Sequence, residues 1–124
     1  MNVNHKVPFV AVCLFLFTSL SVFSQNAKID SLKGIVTTEA KDTAMVSTLI
    51  ELSSELIGIG ESEESLKYSK KANALATDLD YTKGKAYALK YIGIGEFNQG
   101  NFLDVFKYLT ESLKNFEVLQ DSIG

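Results

Sequence analysis

Gly60-Glu61-Ser62-Glu63-Glu64-Ser65-Leu66-Lys67-Tyr68 returns forty positions later as Gly100-Asn101-Phe102-Leu103-Asp104-Val105-Phe106-Lys107-Tyr108. The turn glycine, the large apolar residue and the Lys-Tyr pair keep their places, so the chain is built from a repeated unit. Repeats at a period of ~20–50 residues mark arrays of small supersecondary units that bury their apolar faces against one another. The same shift sets Leu89 over Leu49, Ile92 over Leu52 and Phe97 over Ile57. A competing period of thirty-five is suggested by Ile57-Gly58-Ile59-Gly60-Glu61, which recurs as Ile92-Gly93-Ile94-Gly95-Glu96. That shift sets Phe102 over Lys67 and Gly100 over Ser65, an aromatic on a charge and a turn glycine inside a helix, so the pentapeptide match is read as coincidence. It is no phosphate loop either, lacking the third glycine and a following Lys-Ser/Thr.

Outward from the repeat, the apolar periodicity is helical throughout, and no segment alternates with period two. Ile29, Leu32, Ile35 and Val36 predict a helix over residues 27–39. Asp42-Thr43 caps a second over 44–57 that presents Val46, Leu49, Leu52 and Leu56. Ser62 caps a third reaching residue 78, with Leu66, Ser69, Ala72 and Leu75 or Ala76 packed. Thr82 caps a fourth over 83–98 that buries Ala86, Leu89, Ile92 and Phe97. Asn101 and Asp104 form a capping-box-like start for a fifth, carrying Phe102, Val105, Phe106, Leu109, Leu113 and Phe116. The expected fold class is all-α, with about five helices after an N-terminal signal-peptide helix.

That leading segment is a separate object. His5 and Lys6 precede an apolar run over 7–23, shorter than a bilayer span, and Val22-Phe23-Ser24 places small residues at the positions a signal peptidase inspects. Residues 1–24 are therefore read as a signal peptide cleaved before Gln25. Cys13 is no lipoprotein site, since Val12 precedes it and the apolar run continues beyond it. Cleavage leaves about 100 residues, one small domain. It also removes the single histidine and the single cysteine of a chain that has no tryptophan and no arginine. Disulfides, zinc sites with Cys or His ligands and His-dependent nucleophilic chemistry are excluded from the remainder. The net charge of −3 with evenly spread lysines argues against nucleic acid and anionic membrane surfaces.

Leu89, Ile92-Gly93, Phe97, Gly100-Asn101-Phe102, Val105, Tyr108 and Ser112-Leu113 together resemble a tetratricopeptide repeat. Its departures are Glu96 where an aromatic is usual and Val105 where alanine is usual; the upstream copy has Ser53 for the helix-crossing glycine, Ser65 for the small alanine, and Ala72 retained. The resemblance implies an antiparallel helix-pair solenoid, with Leu89, Ile92 and Phe102 filling the space between helices. It divides the chain into an N-terminal helix (25–42), a degenerate repeat (43–82), a second repeat (83–120) and the start of a truncated third (121–124), beginning at Gly124 and leaving Phe116, Val118 and Leu119 uncovered.

The longer period, with Lys83-Gly84-Lys85-Ala86 and the opening Lys28-Ile29-Asp30-Ser31-Leu32-Lys33, is similar to the exported N-terminal arrays of Bacteroidetes-type sensor proteins. This implies the N-terminal fragment of a signal-transduction protein, on the periplasmic side of a Gram-negative cell. The output is expected to be an adenylate or guanylate cyclase, with a histidine kinase, a transcriptional regulator or a free periplasmic adaptor as alternatives. The expected partner is a protein or peptide, or a second copy, held in an inner groove to which Tyr68, Tyr87, Tyr91 and Tyr108 contribute. No catalytic residue, cofactor or metal is expected. Glu61, Glu63 and Glu64 suit a helix start, Asp78 and Asp80 a turn, and Lys67, Lys70, Lys71 and Lys107 a solvated face.

Overall fold

A computed structural model describes residues 9–123, with the side chains of all but Thr18, Ser19 and Ile123; His5, Lys6, Pro8 and the third-repeat start at Gly124 lie outside the described residues. The described residues form five α-helices and no strand: α1 (Phe9–Val36), α2 (Thr43–Gly58), α3 (Ser62–Asp78), α4 (Thr82–Asn98) and α5 (Phe102–Ile123). Consecutive helices pack on one another, and α2 additionally reaches α4.

The turns show why they do. After α2, the amides of Gly60 and Glu61 donate to the carbonyls of Ile57 (3.1 Å) and Leu56 (2.9 Å). After α3, Asp80 and Tyr81 do the same with Thr77 (3.2 Å) and Ala76 (2.8 Å). After α4, Gly100 and Asn101 do so with Phe97 (3.0 Å) and Glu96 (2.9 Å). Each is a Schellman-type C-cap whose central residue has positive φ: +85° at Gly60, +51° at Asp80 and +81° at Gly100. The structural unit is therefore a helix and its turn, twenty residues long, and the forty-residue echo is two such units. The register also separates the two copies of the pentapeptide. Ile57 to Glu61 runs through the α2–α3 turn, whereas Ile92 to Glu96 lies within α4.

Helix starts differ from the sequence expectation in detail. Asp42 caps α2 as expected, its carboxylate accepting from the Met45 amide at 2.8 Å. Ser62 and Thr82 are instead the first helical residues, because the three-residue turns make Glu61 and Tyr81 the caps, with no side-chain hydrogen bond. Asp104 donates its amide to the Asn101 carbonyl at 3.1 Å, while the Asn101 side chain turns back toward α4.

Two buried clusters hold the helices. Met45, Val46, Leu49, Ala72, Ala76 and Ala88 join α2, α3 and α4, and Ile29, Leu32, Leu52 and Leu56 join α1 to α2. Small residues let the helices cross closely. Ser53 and Ser65 exchange hydrogen bonds, each hydroxyl donating to the other's carbonyl at 3.3 and 2.9 Å. Ser112 donates to the Ala86 carbonyl at 2.7 Å. A methyl group at Gly95 would meet the Leu66 side chain at 2.7 Å. Phe97 and Phe102 depart from the expected packing: they are 58% and 65% exposed and meet edge to face at 5.6 Å.

α1 also departs from expectation, because the apolar leader and the first predicted helix are one continuous helix. Ser24-Gln25-Asn26-Ala27 offers neither glycine nor proline to interrupt it. Its 28 residues are long and apolar enough to cross a bilayer, a property that a signal sequence shares. Only its C-terminal part, through Ile29 and Leu32, enters the core.

Candidate functional site

A concavity that carries both aromatic and charged groups lies between α2 and α4, a cleft of about 380 Å³. From α2, Ser47, Ile50, Glu51, Ser54 and Glu55 line it, a helical spacing that puts one face of the helix along the wall. From the turn and α4 come Tyr81, Lys83, Gly84, Tyr87 and Tyr91. Gly84 sets the width of the floor, since a Cβ there would stand 2.6 Å from Val46 and 2.5 Å from the Tyr81 ring.

The two tyrosines of α4 are each held by a neighbour. The Tyr91 hydroxyl donates to Ser54 Oγ at 3.0 Å, tying the two walls together. Tyr87 meets Phe116 of α5 edge to face, with ring centroids 5.0 Å apart. Such fixed rings present an apolar face and a polar tip without a large loss of side-chain freedom. On the acidic wall, Lys28 of α1 reaches Glu51 at 3.0 Å and Glu55 at 2.6 Å. The hydrogen bonds that Lys28 donates to Glu55 and then to Glu51 hold its pKa above the ordinary lysine value.

Of the four tyrosines named from the sequence, the cleft brings together Tyr87 and Tyr91. Tyr68 packs half-buried against both core clusters, under the Lys67 ammonium at 5.5 Å, and Tyr108 on α5 has Lys107 over its ring at the same distance. Tyr81 lines the cleft without having been singled out, because the sequence places it in a connection. Its signal was its place directly after the turn residue Asp80, which aims it back at the preceding helix pair.

A second feature was hidden by its chemistry. Glu96 is 6% exposed and accepts from Asn101 Nδ2 at 2.6 Å and Lys70 Nζ at 3.1 Å. It occupies the position that Leu56 fills forty residues earlier, so it links the end of α4, its turn and α3 where a hydrocarbon would otherwise sit. The Asn101 hydrogen bond leads the lowering of its pKa below the ordinary 4.5, helped by Lys70 and opposed by burial. A carboxylate with a depressed folded pKa stabilises the fold above its unfolded pKa, and that stability is lost as pH falls through the folded value. The melting temperature of the wild type is thus expected to fall more steeply below pH 4.5 than that of Glu96→Gln. Parallel profiles down to about pH 3 would show that the carboxylate contributes nothing to that dependence.

The remaining acidic residues make no comparable site. Glu61, Glu63 and Glu64 border a shallow hollow with Lys67 at the start of α3. Among the described residues no group of three or more His, Cys, Asp or Glu side chains is placed to hold a metal ion. In comparisons with protein families, curated proteins and solved structures, no match was found for this chain.

Proposed function

We propose that the chain is a non-catalytic helical-repeat interaction module of the tetratricopeptide type, whose α2–α4 cleft holds a protein or peptide segment. The observation that carries this reading is the twenty-residue recurrence of helix and Schellman turn, with α2 and α4 side by side along one face. Such stacking generates extended concave surfaces suited to binding. The fixed rings of Tyr87 and Tyr91 beside Glu51, Glu55 and Lys83 supply apolar contact with polar orientation. On this reading the fold is a helix-pair solenoid, and the apolar half of α1 is an export signal that delivers the module to the periplasm.

The signalling role, as the sensing arm of a protein with a nucleotide cyclase output, rests on the sequence resemblance. The structure adds a physical route for coupling: Lys28 connects the acidic wall of the cleft to α1, so a ligand cation drawn to Glu51 and Glu55 competes with α1 for them. Reading the coding frame downstream of Gly124 tests the output. A further apolar span and a cyclase domain support it, and a stop directly after additional repeats removes it.

Binding is tested with the full chain in lipid nanodiscs against a displayed library of extended peptides. Tyr91→Ala is expected to weaken the selected peptides at least about tenfold. Tyr108→Ala, outside the cleft, is expected to leave them unchanged. Peptides that bind Tyr91→Ala as tightly as wild type, with circular dichroism showing an intact fold, would remove the cleft from the proposal.

A further inference from the structure

Given that the cleft between α2 and α4 is the surface that binds, as proposed above, we infer that it selects an extended peptide segment of mixed charge. An acidic residue of the segment sits toward Lys83 and a basic one toward Glu51 and Glu55, about three to four residues apart.

The two helices that wall the cleft run in the same direction. Gly84, near the start of α4, abuts Val46, near the start of α2, and further along the Tyr91 hydroxyl donates to Ser54. Between these contacts α2 advances by eight residues and α4 by seven, so the helices are parallel. Parallel helices add their dipoles. Their positive N-terminal ends stand together at one end of the cleft and their negative C-terminal ends at the other.

Side chains reinforce that polarity where ordinary helix chemistry would cancel it. Lys83 lies in the first turn of α4, at the positive end, and lines the cleft. A cation is unfavourable there, and the first turns of α3 and α5 carry acids instead, Glu63 and Glu64 in one and Asp104 in the other. Glu63 is the residue twenty positions before Lys83, at the same place in its unit. Lys85 is offset by Glu111 at 3.5 Å, whereas Lys83 pairs with no carboxylate among the described residues. Toward the other end, Glu55 stands in the last turn of α2, where there is no basic residue. Glu51 and Glu55 share the one ammonium of Lys28, at 3.0 and 2.6 Å, which leaves a net negative charge.

Spacing sets the ligand. Because Gly84 faces Val46, Lys83 is level with Met45, and at ~1.5 Å per residue the two acids lie roughly 9 and 15 Å further along. An extended chain, at ~3.3 Å per residue, covers that distance in about three to four residues. Ile50 and the rings of Tyr87 and Tyr91 line the stretch between the charged ends and suit the apolar part of the segment. A uniformly acidic segment would set a carboxylate against Glu51 and Glu55, and a uniformly basic one would set a cation against Lys83. Like charges brought together in this way exclude both.

The test is selection of a displayed library of randomised short peptides on the full chain in lipid nanodiscs. An Asp or Glu and a Lys or Arg at the stated spacing are expected to be enriched at least about threefold over the unselected library. Selection on Lys83→Glu is expected to exchange the acid for a second base, and selection on Glu51→Gln to lose the preference for the base. Both positions are exposed, so circular dichroism is expected to match wild type. Selected peptides that Tyr91→Ala weakens but that lack the charge pair, or that keep the same charges on Lys83→Glu, would overturn the inference while leaving the cleft as the binding surface. Selected peptides indifferent to Tyr91→Ala, or no selected peptide at all, would overturn both.

Discussion

Replacing Leu52 with alanine is expected to lower the free energy of unfolding by about 3 kcal/mol, within the range for fully buried leucines, and to detach the folded part of α1. Leu52 has no exposed surface and stands with Leu56 against Ile29 and Leu32. Helix α1 packs chiefly on α2, so this cluster, with Tyr68 of α3 against it, is what seats it. The polar links are ion pairs from Lys28 to Glu51 and Glu55 and from Lys33 to Glu64. Pairs at such solvent-exposed positions are screened by water and cannot replace the lost hydrocarbon. Two readouts separate the consequences. Denaturant unfolding gives the overall loss, and limited proteolysis at residues 37–42 reports release of α1. Ile35→Ala, at a position 47% exposed, is the control and is expected to change little. A Leu52→Ala chain that keeps its midpoint and resists cleavage as wild type does would show that α1 is held by other means.

How far the sequence led depends on which residues carried each feature. The helices of the repeat were legible because Val46, Leu49, Leu52 and Leu56, and later Ala86, Leu89 and Ile92, recur at helical spacing and are buried. Forty was visible as a period because Gly60 and Gly100 both occupy left-handed turns. The finer period of twenty was masked, since Asp80 adopts the same backbone without being glycine. Aspartate tolerates that region better than most residues, so composition alone gave no warning.

Misplaced weight went to the phenylalanines. Hydrophobicity favours Phe97 over Glu96 as the packed residue, yet the helical register puts Glu96 inward and Phe97 outward. The buried acid is tolerable because Asn101 and Lys70 reach it, a pairing across a turn that periodicity does not reveal. The serines at the α2–α3 crossing looked like departures from a glycine-alanine pattern; in the structure their hydroxyls satisfy each other's carbonyls at close approach. Of the cleft, the tyrosines on α4 were readable at their spacing of four, whereas Tyr81 and the wall of α2 required knowing which helices lie side by side.

Gly84→Val is expected to cost about 3 kcal/mol and to spread the walls of the cleft. Two effects oppose each other at this position. Any side chain relieves the helix of glycine's conformational freedom, a gain of up to about 1 kcal/mol for alanine. Against it, the first added carbon falls 2.6 Å from Val46 Cγ1 and 2.5 Å from Tyr81 Cδ1. Tyr81 is partly exposed and can swing, but Val46 has no exposed surface and is enclosed by the core of α2, α3 and α4. Relief must therefore come from α4 moving off α2, which stretches the Tyr91–Ser54 hydrogen bond at 3.0 Å and widens the floor between the walls. Gly84→Ala is expected to be destabilising for the same reason, despite its better helix propensity. Gly34→Ala, where a methyl group would meet nothing within 4 Å, is expected to be stabilising and isolates the propensity effect. Denaturation midpoints of the three variants check the argument. If Gly84→Ala rises alongside Gly34→Ala, α2 and α4 have room to spare, and the width of the cleft is not set by this glycine.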